Sequence, residues 1–181
     1  AGPGFGGSCF KKDILNLVYL CKQFNLDEVA EYWEKVVEMN DWQKKRIYRI
    51  VVEKLFGNLS EKKIVVLGFA FKANTNDTRE SPAIHIASDL LSESANLVFH
   101  DPKVEERQIR KELNDYISNY TSLNFAYLKL NFSDNLYEAF VDADAIIILT
   151  EWEDYKELDW PYIKTVMRSP SWIFDTRGIV D

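Results

Sequence analysis

Apolar residues recur at three- and four-residue steps from the start of the chain to about position 57, and the pattern then changes to short apolar runs. Ile14, Leu15, Leu17, Val18 and Leu20 predict a first helix from Cys9 to about Phe24. Asp27 opens a second, with Glu28 in its first turn, where negative charge is favoured. Its apolar positions, among them Val29, Trp33, Val36, Val37, Ile47, Ile50, Val51 and Leu55, run down to Gly57, a plausible helix stop. About 30 helical residues span roughly 45 Å, more than a small domain needs. From Lys63 the pattern alternates. Lys63–Gly68, Leu97–His100, Tyr127–Asn131, Ala145–Leu149 and Trp172–Phe174 read as buried parallel strands. Helical patterns at Pro82–Ser92, Val104–Tyr116, Asp134–Phe140 and Tyr162–Met167 fill the intervals, and Ser118–Phe125 reads as a mobile loop. The expectation is an α/β fold: a long central helix followed by a doubly wound, mainly parallel, Rossmann-like sheet. The division falls into a helical region at 1–58 and an α/β domain at 59–181. Ligands of such sheets bind beyond the strand carboxyl ends, where Phe69–Lys72 and Asp175–Arg177 fall.

Composition narrows the classes. The 181 residues are 46% hydrophobic and 14% aromatic, which argues for a packed core and against disorder. A net charge of −7 without a basic run leaves no electrostatic footprint for nucleic acid. No apolar stretch approaches the length of a membrane span, and no signal peptide is present. Cys9 and Cys21 lie at opposite ends of one predicted helix, roughly 18 Å apart by helical rise, too far to bridge. Free thiols suit a cytoplasmic setting. His85 and His100 have no Cys or His partner at ligand spacing, so no metal site is expected. Trp152, Trp160 and Trp172 read as core, and Asp101, 33 residues after Gly68, as structural rather than ribose-binding.

The opening segment Gly2-Pro3-Gly4-Phe5-Gly6-Gly7-Ser8-Cys9-Phe10-Lys11-Lys12-Asp13 carries the chemistry. Its glycines allow close backbone approach to a ligand. Cys9 falls at a helix N-terminus, where unpaired N–H groups and the helix dipole favour an anion such as a thiolate. Lys11 and Lys12 add positive charge, and Asp13 places a carboxylate about one turn on. A helix entry with a buried cysteine and a solvated Lys-Lys-Asp cap explains the spacing equally well.

GPGFGGSCFKKD resembles the active-site segment of the nucleotide-sugar 6-dehydrogenase family, the UDP-glucose 6-dehydrogenases in particular. Gly68–Pro82 (GFAFKANTNDTRESP) and Phe174–Arg177 (FDTR) match two further segments in the family's order. The resemblance implies NAD-dependent oxidation of UDP-glucose to UDP-glucuronate in two hydride transfers, through a thiohemiacetal and a thioester on cysteine. Cys9 matches the nucleophile and Asp13 the carboxylate that assists water. Pro3, Phe5, Gly6, Phe71, Lys72 and Arg177 match substrate contacts. Cys9, Lys12 and Arg79 match positions flanking the cofactor. It also implies self-association through the helix from Asp27 to Phe56, as a dimer and, in the whole enzyme, a hexamer. No G-x-G-x-x-G follows a strand, so the chain reads as the C-terminal part of such an enzyme, without its N-terminal NAD domain and inactive alone.

Other readings stay open on the residues. Phe10 and Phe71-Lys72 look like the UDP-glucose enzymes, but related GDP-mannose or UDP-N-acetylmannosamine dehydrogenases share the framework. In isolation the chain could be a non-catalytic nucleotide-sugar-binding and oligomerisation module. Lys72 could be a solvated loop lysine, Arg79 a clamp on Asp77 or Glu80, and Arg177 a tail arginine paired with a nearby carboxylate.

Overall fold

The computed structural model describes residues 2–180. Two helices come first: α1 (Phe10–Gln23) and the 28-residue α2 (Asp27–Lys54). They pack as an antiparallel pair around Ile14, Val18, Cys21 and Ala30. The turn between them is tight because Phe24 and Leu26 N–H groups return to carbonyls of the last turn, with Asn25 at φ 54°.

The sheet that follows is wholly parallel, in the order β3-β2-β1-β4-β5. Its strands are β1 (Lys63–Leu67), β2 (Asn96–His100), β3 (Leu130–Phe132), β4 (Ala145–Ile148) and β5 (Trp172–Asp175). Val65 pairs with Val98 on one side and Ile146 on the other, so the continuous apolar runs of β1 and β4 are buried on both faces. Helices α3 (Pro82–Ser92), α4 (Glu106–Tyr120), α5 (Leu136–Phe140), α6 (Glu153–Lys156) and α7 (Trp160–Val166) make the crossovers. Ser81 caps α3 through Ala83 N–H at 3.2 Å, with Pro82 at the first helical position, which fixes that boundary as the sequence predicts.

Three details differ from expectation. Val104 lies before α4, because Asp101 accepts from Lys103 and Val104 N–H (2.9 Å each) and turns the chain there. The same helix runs on to Tyr120, through the start of the expected loop; the rings of Tyr116 and Tyr120, one turn apart, meet at 4.9 Å with their planes tilted by 34°. The third strand begins at Leu130 rather than Tyr127, since Phe125–Tyr127 form a short 3₁₀ turn capped by Asn124.

The long α2 helix serves both halves. Its Ala30 belongs to the α1 cluster, while Ile47, Val51 and Leu55 enter the sheet core. Full burial of such side chains contributes about 2 kcal/mol each, enough to fix the helix against α3.

Candidate functional site

The strand order reverses between β1 and β4, which opens a crevice beyond their carboxyl ends. Three chain segments and α2 meet on this side. The first follows β1, where Gly68 (φ 90°) would place a Cβ 2.3 Å from the Thr150 side chain. Only glycine fits there. Thr150 closes the gap by donating to Ala70 O at 2.6 Å. Asp101 fixes the next two residues, accepting from Phe69 N (2.7 Å) and Ala70 N (3.1 Å), and also from the Trp152 indole (3.3 Å). These bonds fix the start of the loop that carries Phe71 and Lys72 beyond the carboxyl end of β1.

The second segment is the turn after β5. Asp175 accepts from the N–H groups of Arg177, Gly178, Ile179 and Val180 at 2.6–2.9 Å. Burial opposes its charge, but these four donors outweigh that and hold the carboxyl below the usual range. Arg177 is thereby turned inward, donating to Leu149 O (2.8 Å) and Phe71 O (3.2 Å), with Glu151 3.1 Å away. Burial lowers the affinity of this guanidinium for its proton and Glu151 raises it; the first wins.

The third is the opening segment, laid across α2 and the loop after β1. Asn40 accepts from Phe5 N (2.7 Å) and donates to Phe5 O (3.1 Å). Gln43 donates to Gly2 O at 3.0 Å, and Gly7 N donates to Arg79 O at 2.8 Å. A Cβ on Gly6 would lie 2.6 Å from Glu80 O, and one on Gly7 3.1 Å from the Phe71 ring. The glycines are thus required for backbone to lie on backbone.

Together these segments line an open cleft of about 770 Å³, whose walls include Gly2, Phe5, Gly6, Phe71 and Arg177. That size suits a small organic ligand. Of the expected substrate contacts, Phe5, Gly6, Phe71 and Arg177 line it, and Pro3 is buried in the same segment. Lys72 does not; it is exposed, with its ammonium 5.4 Å from the Phe71 ring centroid. Cys9 stands at the N-cap of α1, exposed, with Ser8 Oγ 3.5 Å from its sulfur. Cys9 is not among the residues that line the cavity; Phe10, the next residue, meets the lining residue Phe5 edge-on at 4.6 Å. Asp13 lies in the first turn of α1, its N–H donating to Cys9 O at 2.8 Å. Lys12 is exposed and Lys11 pairs with Glu80 at 2.9 Å. Arg79 is held by Asp77 at 2.7 Å, which is the main reason its charge is favoured; Cys9 contributes a lesser share.

Sequence reasoning missed the far wall of the cavity: Tyr32, Val36, Met39, Asn40 and Gln43 all come from α2. The signal was present as buried polar residues inside an apolar stripe, since Asn40 and Lys44 are 6% and 2% exposed.

The residues of the sheet do not fit a dinucleotide. Thr150 occupies the space beside Gly68 where a pyrophosphate would approach, and Asp101 spends both oxygens on five donors. Among the described residues no group of three or more acidic, His or Cys side chains could hold a metal ion. No described helix is long and apolar enough to cross a membrane.

A parallel doubly wound domain is thus joined to a glycine segment that ends on a cysteine at a helix N-terminus. Residues 65–181 match the family model of the UDP-glucose/GDP-mannose dehydrogenase family, UDP binding domain, and residues 1–42 match that family's central domain. The chain belongs to the UDP-glucose/GDP-mannose dehydrogenase family. It is 47% identical over 188 residues to UDP-glucose 6-dehydrogenase 1 of Glycine max, covering 100% of this chain and 39% of that one. The UDP-glucose 6-dehydrogenase of Gallus gallus is 46% identical, with 100% and 36% covered. A UDP-glucose dehydrogenase structure from Pyrobaculum islandicum superposes with a TM-score of 0.77 at 28% identity, over 99% of this chain and 36% of that one. The chain spans a little over a third of the length of these relatives.

Proposed function

We propose that this chain supplies the sugar-nucleotide site and the reactive cysteine of a UDP-glucose 6-dehydrogenase, with 1–58 as the helical, Cys9-bearing region and 59–181 as the binding domain. The observation that carries the reading is the cavity that gathers Phe5, Gly6, Phe71 and Arg177 from three distant segments. Its aromatic faces suit a base or sugar ring, and the guanidinium of Arg177 in its wall suits a diphosphate. Relatives named as UDP-glucose 6-dehydrogenases, at 46–47% identity, favour UDP-glucose over GDP-mannose.

Converting a primary alcohol to a carboxylate removes four electrons, and NAD is the acceptor the family reading calls for. The chain offers it no cradle, so the sulfur chemistry is what is assigned here. Cys9 Sγ adds as thiolate to the carbon of the sugar aldehyde; the C–S bond forms as the carbonyl π pair moves to oxygen, which takes a proton. Once that adduct has been oxidised to a thioester, water attacks the same carbon, the C–S bond breaks, and the thiolate leaves with the carboxylate product released. Asp13, in the first turn after Cys9, is the group assigned to accept the proton of that water. A thiol-held intermediate keeps free aldehyde from escaping. The free thiols of Cys9 and Cys21 support a cytoplasmic setting.

Calorimetry on this chain with UDP-glucose and GDP-mannose tests the reading. Weak but measurable binding of UDP-glucose is expected, stronger than that of the guanosine sugar. Preference for GDP-mannose would overturn the substrate assignment, and no binding of either would remove the site.

A further inference from the structure

The face of α2 beneath the opening segment carries Asn40, Gln43 and Lys44, three polar residues where an amphipathic helix would place apolar ones. Burying an amide without partners costs about 1–3 kcal/mol, so Asn40 at 6% exposure needs a reason. Its two bonds supply it. Both go to one residue, Phe5, matching the backbone N–H and C=O as a strand neighbour would. Gly4, at φ 123°, would put a Cβ 2.7 Å from Asn40 Oδ1 and 3.3 Å from Lys44 Cγ, so amide and glycine specify each other. Phe5 forms the cavity wall and leans on Phe10, the residue after Cys9. The Gly7–Arg79 bond ties the far end of the segment to the sheet side.

We propose that Asn40 is a positioning residue: from α2 it fixes the Gly4–Gly6 backbone, and thereby sets both the aromatic wall of the cavity and the approach to Cys9. The role rests on the reading of this cavity as the sugar-nucleotide site, but the clamp can be tested without a ligand. In Asn40→Ala, hydrogen exchange at the Phe5 and Gly7 amides is expected to quicken by about tenfold or more, with the sheet and the rest of α2 unchanged. UDP-glucose affinity should fall by about the same factor. Asn40→Asp conserves the side-chain shape and keeps the acceptor for Phe5 N. When ionised it sets a carboxylate oxygen against Phe5 O, and when protonated it can donate there again. Its UDP-glucose affinity should therefore improve as pH is lowered from about 8 to 5, while that of the unsubstituted chain stays level. Exchange at Phe5 and Gly7 that keeps its original rate in Asn40→Ala overturns the proposal, as does an Asn40→Asp affinity indifferent to pH. A chain that binds no UDP-glucose at all would sink the site reading instead, and exchange would still decide the role of Asn40.

Discussion

His85, on α3, sits where α2 and α4 close over the sheet, its Nδ1 3.0 Å from the Tyr116 hydroxyl. Burial chiefly, and then the charge of nearby Lys44, push its pKa down to about 4, against smaller opposing effects of Asp41 and Glu80. The folded chain therefore refuses a proton that the unfolded chain accepts near pH 6.5. Stability is greatest above that value and falls as pH drops from about 6.5 toward 4, by about 2 kcal/mol at pH 5 relative to pH 7. Urea unfolding at the two pH values measures this, and His85→Gln should flatten most of the difference. His100, also lowered by burial, retains its own share of the slope. An equal slope in the variant would mean that His85 is not the group responsible. Arg79 is a mixed case. The pairing with Asp77 that spacing suggested is present, and the charge of Cys9 adds a lesser share to what favours the guanidinium.

At the scale of elements, what was legible depended on how local its cause is. Helix α3 was readable to the residue, because Ser81 and Pro82 signal its start within two positions. Helix α6, four residues long, left no periodicity to read. The α2 wall of the cavity was hidden for a different reason: the partners of Asn40 and Gln43 lie 35 and 41 residues away, and a helical pattern records only which positions are buried. Trp160 and Trp172 pack against the core as expected, although neither indole N–H finds a partner, and we have no physical account of that. The glycine segment makes the sharpest element-scale prediction. A Cβ at position 6 would meet Glu80 O, which is backbone and cannot swing aside. Gly6→Ala should therefore lift the segment from the loop after β1, weakening UDP-glucose binding by about tenfold or more while costing little stability, since few apolar contacts are lost. Parallel calorimetry and thermal unfolding of the variant check both halves. Binding that survives Gly6→Ala would show that the segment need not lie where it does.

At the scale of the whole molecule, α2 is too long for what it covers. Its last turns give Ile47, Val51 and Leu55 to the sheet core, and its first give Ala30 to α1, while Tyr32 and Met39 face the cavity. Phe24, Leu26, Val29 and Trp42 remain 43–73% exposed on or beside it. Large apolar side chains left in water along a helix are the kind of surface that association covers. A second copy of the chain is the simplest cover, because an isologous contact between two such helices closes on itself and buries the same residues twice. The chain is therefore expected to self-associate through the helix from Asp27 to Phe56, as at least a dimer at micromolar concentration in sedimentation equilibrium. Trp42→Glu, at an exposed position outside both cores and outside the cavity, should shift that equilibrium toward monomer without altering the fold. A chain that is already monomeric at those concentrations, with α2 intact by circular dichroism, would show that these side chains tolerate water and that the length of α2 serves only to join the cysteine segment to the sheet.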